Sequence, residues 1–86
     1  MITLGSPEFQ QLFSTSARLR SKFSFEDALQ LLESNLPHMA GECLPKVYLE
    51  IIYVAEEAGN LEKCLSYARK LIAIDPKNAA VRKYVT

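Results

Sequence analysis

The sequence predicts an all-α fold of antiparallel helical hairpins, and three observations carry that prediction. Apolar residues from Phe25 to Ile74 recur three and four positions apart, the spacing of one helix face. Prolines 37, 45 and 76 stand where such runs stop or start. Gly59-Asn60 joins two amphipathic runs, glycine suiting the left-handed end of a helix and asparagine the cap of the next. Residues 45–78 thus outline one helix-turn-helix unit of about 34 residues, the length of a stackable repeat.

Each element follows from its own residues. Gln10 to Lys22 places Leu12, Phe13, Ala17 and Leu19 in loose helical spacing, amid serines and threonines that compete for backbone hydrogen bonds. A second helix begins at Ser24, whose hydroxyl can cap it, while Glu26 and Asp27 favour the positive end of its dipole. Phe25, Ala28, Leu29 and Leu32 share one face, and Leu36-Pro37 ends the run. His38 to Leu44 reads as an irregular or partly helical lead-in to a new helix near Pro45, the alternative being one long helix from Pro37 kinked at Pro45.

From Pro45 to Ala58, Val47, Tyr48, Ile51, Ala55 and Ala58 form a stripe, and Leu49, Ile52 and Tyr53 add apolar surface around it. A helix this apolar must be covered on more than one side. From Leu61 to Ile74, the inward set is Leu61, Cys64, Leu65, Ala68, Leu71 and Ile72. A turn as short as Gly59-Asn60 forces these two helices to be antiparallel neighbours. Asp75-Pro76 stops the fourth helix, and Asn78 can cap a fifth with Val81 and Val85 four apart.

Composition bounds the rest. The chain has 86 residues, enough for one small domain, with ten basic residues against ten acidic. No overall basic field draws it to nucleic acid or to an acidic membrane, and no apolar run is long enough to span a bilayer. The local basic run Arg18, Arg20, Lys22 reads as a solvated helix face, against the alternative of an anion-binding patch. Two cysteines, Cys43 and Cys64, make no disulfide framework and are read as reduced, which places the protein in the cytoplasm or nucleus. Leu4-Gly5-Ser6-Pro7-Glu8-Phe9 resembles the translated cloning site of bacterial fusion vectors. Residues 1–9 are therefore expected to be a vector-derived leader, and 10–86 one helical domain cut from a larger protein.

Catalytic chemistry finds little to stand on. His38 is the one histidine, and although it could pair with Cys43, nothing supplies an orienting group or an anion hole. One histidine and two cysteines give no metal-ligand spacing, and three glycines form no phosphate-cradling loop. Glu56 and Glu57 are adjacent on a helix, diverge, and read as solvated charges. No enzyme activity, cofactor or metal is expected.

Pro45 to Asn78 resembles a tetratricopeptide repeat, without gaps over one repeat length. Tyr48 takes the early aromatic position, Ile51 and Ala55 the helix contact, Gly59 the turn, Leu61 the opening apolar slot and Pro76 the closing proline. Ile52 and Cys64 depart from the small residues of the pattern, and Ala68 and Leu71 exchange large and small. Phe25-Glu26-Asp27-Ala28 resembles the second helix of a preceding, degenerate unit that lacks a turn glycine, and Ala79 to Thr86 the opening of a third. The resemblance implies helical hairpins stacked as a short right-handed array, a non-catalytic scaffold that binds a peptide or helix of a partner protein.

In that family the first helices of successive repeats line a groove, and the resemblance puts Lys46, Leu49, Glu50, Tyr53 and Glu57 on it. Leu49 and Tyr53 would form its floor and the glutamates an acidic rim, unless both apolar residues are buried against upstream helices. Members that clamp heat-shock C-terminal carboxylates use lysine, asparagine and arginine. The matching slots here hold Phe13, Ala17, Glu50, Ala80 and Tyr84, so no such clamp is expected. A short array exposes apolar ends, which a homodimer or a neighbouring domain would cover. The alternative function is a helical appendage that packs against a catalytic domain or mediates homodimerisation.

Overall fold

A computed structural model describes residues 1–85, with the side chains of Lys83 and Val85 outside the description. The pairing of Val85 with Val81 therefore lies outside the described residues. Among the described residues five helices form: α1 (Pro7–Ser21), α2 (Phe25–Asn35), α3 (Leu44–Ala58), α4 (Leu61–Ile74) and α5 (Ala79–Val85). Two single 3-10 turns, Leu36–His38 and Gly41–Cys43, fill the link before α3, the partly helical lead-in that Pro37 and Pro45 frame. The described residues contain no sheet, and a lone bridge joins Ile2 to Met39.

The local stops and starts follow the sequence closely. Gly59 ends α3 at φ 76°, and the Asn60 side chain accepts the Lys63 N–H. The Asn78 side chain accepts the Ala80 N–H at 3.0 Å. Ser24 departs from expectation, because its hydroxyl makes no cap bond. The negative charge of Glu26 and Asp27 is what serves the start of α2. At the other end of the chain, Ser6 caps α1 by accepting the Phe9 N–H at 3.2 Å, and Phe9 itself is a core residue at 3% exposure. The first nine residues are thus part of the packed unit.

The turn between α1 and α2 copies the one between α3 and α4. The Ser24 N–H donates to the Leu19 carbonyl at 2.8 Å, and thirty-six residues later the Asn60 N–H donates to the Ala55 carbonyl at 2.8 Å. The place of Gly59 is taken by Phe23, held at φ 61°. A left-handed conformation strains a side chain such as phenylalanine, and the ring is 80% exposed, so it recovers little by burial.

Successive helices pack on one another, α1 on α2 through to α4 on α5. The radius of gyration, 12.3 Å, matches the roughly 12 Å of a close-packed chain this long. The core is centred on α3, where Val47, Ile51, Ile52, Val54 and Ala55 are all buried, as a helix apolar around its circumference requires. The inward face of α4 is Cys64, Tyr67, Ala68 and Leu71. Leu61 and Leu65, expected inside, are exposed, because they lie to one side of that face where no described helix covers them. Tyr67 takes inward space instead and turns toward α2.

Replacing Phe23 with glycine is expected to raise the melting temperature, and Gly59→Ala to lower it. Each change is worth about 1 kcal/mol, or roughly 4–8 °C in a chain of this size. No atom lies within 4 Å of a methyl group built on Gly59, so that variant reports backbone strain alone. Thermal unfolding by circular dichroism checks both.

Candidate interaction surface

Polar side chains tie alternate helices together and so define two layers. On the even-numbered side, Glu33 of α2 accepts from Lys63 Nζ at 2.6 Å and from the Tyr67 hydroxyl at 2.8 Å, both on α4. On the odd-numbered side, Arg20 of α1 spans to α3. Its Nε donates to Glu57 at 2.7 Å and its Nη1 to Glu50 at 3.0 Å. The buried Ser16 hydroxyl also donates to Glu50, at 3.1 Å. Tyr84 of α5 donates its hydroxyl to Glu56 of α3. The residues linked across each layer are 28 or more positions apart in sequence.

These contacts revise several sequence readings. Arg20 is no solvated charge but a clamp, while Arg18 and Lys22 of the same run stay exposed. Burial opposes its charge, yet the Glu57 hydrogen bond and the two carboxylate charges outweigh that, and its pKa is raised. Glu56 and Glu57, read as solvated, each have a partner on another helix. The acidic rim expected of Glu50 and Glu57 is matched by one guanidinium.

The five residues that the repeat resemblance put on a groove do share one edge of α3. Leu49 and Tyr53 are half-buried, packed neither fully inside nor fully in water. Lys46 is exposed and holds its Nζ 5.7 Å from the centre of the Phe13 ring on α1, within range of a weak cation–π contact. The edge thus carries Lys46 and Arg20 against Glu50 and Glu57, close to charge balance. Of the slots matched to a carboxylate clamp, Phe13 lies under Lys46 and Glu50 is held by Arg20.

The other groups singled out by the sequence sit apart from this edge. His38 is exposed, whereas Cys43 is fully buried and its thiol donates to the Ile2 carbonyl at 3.6 Å. Burial pushes the Cys43 pKa up, away from the reactive thiolate. Cys43 and Cys64 are both buried and are not joined in a disulfide. Among the described residues no cluster of three His, Cys, Asp or Glu could hold a metal ion, and no helix is long and apolar enough to cross a membrane.

The Glu33–Lys63–Tyr67 cluster was not visible in the sequence. It lines a surface depression of about 410 Å³ with Asn60, Glu62, Ser66 and Lys70. Opposite charges at this separation carry no local signal, since their meeting depends on how α2 and α4 stack. No family model, curated protein or solved structure matches the chain.

Arg20→Ala is expected to cost about 1 kcal/mol in urea denaturation, with the loss shrinking in high salt, because the pair is partly exposed and screened. A double-mutant cycle with Glu50→Ala isolates the coupling. Tyr67 gives a separate test. Burial, then the Glu33 carboxylate, raise its phenol above the usual value of about 10. A raised folded pKa contributes stability that is complete below about pH 10 and lost as pH climbs through the folded value. Tyr67→Phe should therefore lessen the alkaline loss of stability and remove one late-ionising phenol from a tyrosinate absorbance titration.

Proposed function

We propose that this chain is a non-catalytic protein–protein interaction module, a tetratricopeptide-like scaffold that binds a peptide or helix of a partner protein on the exposed edge of α3. The observation that carries this reading is the state of Leu49 and Tyr53. Both stay half-buried on a helix that buries Val47, Ile51, Ile52, Val54 and Ala55, flanked by neighbours that Arg20 and Tyr84 fasten in place. A pre-built helical surface of this kind loses little conformational entropy on binding, and an apolar and aromatic pair supplies contact area. Because Lys46 and Arg20 together balance Glu50 and Glu57, recognition here rests on shape and apolar contact more than on net charge.

One observation favours a second reading. Glu50 and Glu57 already serve contacts within the chain, as they would in a helical appendage whose α3 edge is structural and whose partner is a neighbouring domain.

Peptides selected from a displayed library against the 86-residue chain distinguish the two. On the interaction reading, Leu49→Ala with Tyr53→Ala weakens binding at least about tenfold, a loss of about 1.4 kcal/mol, while the fold survives with a modest drop in melting temperature. Selected peptides indifferent to both substitutions, or collapse of the fold, would favour the structural role. Calorimetry with an acidic C-terminal heat-shock peptide is expected to show no micromolar binding.

A further inference from the structure

The outer flank of α4 lies away from the proposed peptide edge and is independent of it. α4 meets α2 through Lys63 and Tyr67. At about 100° per residue, Leu61, Leu65 and Ile72 fall on the opposite side of the helix. Leu61 is 68% exposed, Leu65 is 38% exposed and Ile72 is half-buried. The corresponding positions thirty-six residues earlier are Phe25 and Leu29 on α2 and Leu36 just past its end. There Leu29 is only 1% exposed, and Phe25 and Leu36 are half-buried. α4 therefore bears the same kind of apolar stripe without the cover that α2 receives.

Two exposed charges border the stripe, Glu62 and Arg69. They are seven residues apart, about 10.5 Å along the axis, too far to pair with each other. Neither forms a side-chain hydrogen bond or ion pair with any described residue. Their order makes the flank complementary to itself. When a second α4 is laid antiparallel across a twofold axis near residues 65 and 66, each Glu62 lies opposite an Arg69. Leu65 then meets Leu65, and Leu61 approaches Ile72. A purely acidic or purely basic partner helix would satisfy one of these charges and oppose the other, whereas the chain's own α4 satisfies both.

We propose that α4 is a self-association surface, on which a second copy of this chain packs antiparallel through Leu61, Leu65 and Ile72 with two reciprocal Glu62–Arg69 ion pairs. The interface is isologous, with the same patch on both copies. One helix flank offers less than the roughly 800 Å² per partner of standard complexes, so the dimer forms in a concentration-dependent equilibrium with monomer.

Sedimentation equilibrium of the 86-residue chain over about a hundredfold range of concentration tests this. The weight-average mass should rise from monomer toward dimer. Glu62→Arg and Arg69→Glu should each weaken association by about tenfold or more, since each places like charges opposite one another. The double variant exchanges the signs and should restore association, an outcome that a general loss of folding or solubility cannot imitate. Leu65→Asp should abolish the dimer, with circular dichroism confirming that the helices remain. A chain that stays monomeric throughout, a dimer indifferent to either reversal, or single reversals that the double fails to rescue would each overturn the proposal.

Discussion

The structure depends on the fact that α3 cannot face water on most of its sides. Five of its fifteen residues, Val47, Ile51, Ile52, Val54 and Ala55, are buried, and Tyr48 and Leu49 pack against the same core. Burying a side chain of valine or isoleucine size contributes about 1.5–3 kcal/mol, several times an exposed ion pair. The need to cover α3 therefore brings α2 and α4 against it, and the outer helices follow, α1 on α2 and α5 on α4. The two-residue link at Gly59-Asn60 makes one of those neighbours the next helix in sequence.

Polar contacts then settle what burial leaves open. Apolar packing is non-directional and tolerates sliding, but Arg20 reaching both Glu50 and Glu57 fixes α1 against two successive turns of α3. Glu33 does the same for α4 by accepting from Lys63 and Tyr67, which are four residues apart on one side of that helix. Each clamp has one residue on the first hairpin and two on the second. The relation between the hairpins is thus held on both layers, which keeps a surface spanning several helices in one shape.

Much of this was legible in the sequence where the signal is local. Helix limits at Pro37, Gly59 and Asp75, the caps at Asn60 and Asn78, and the many-sided burial of α3 all depend on residues a few positions apart. What the sequence hid depends on which faces meet. Leu61 and Leu65 fit an inward pattern on α4, but the buried face is Cys64, Tyr67, Ala68 and Leu71, and the leucines lie to one side of it where no described helix covers them. Arg20 looked like one member of a charged run because its carboxylates lie thirty or more residues away. Phe23 gave no sign of a turn, since the left-handed conformation usually announces itself by glycine, and here the surrounding hydrogen bonds impose it on phenylalanine.

The same distinction separates the two surfaces of the chain. On α3 the charges are consumed within the fold, so Leu49 and Tyr53 sit in a nearly neutral setting that gives long-range steering little to act on. Any specificity there must come from the shape of a rigid edge. On the outer flank of α4, Glu62 and Arg69 are unspent, and they border leucines more exposed than any apolar residue of α3. Burying those leucines supplies the attraction, but it would accept many orientations. Glu62 and Arg69, placed two turns apart with opposite signs, select the antiparallel one, because a parallel pairing of two identical helices would set each charge against its own kind.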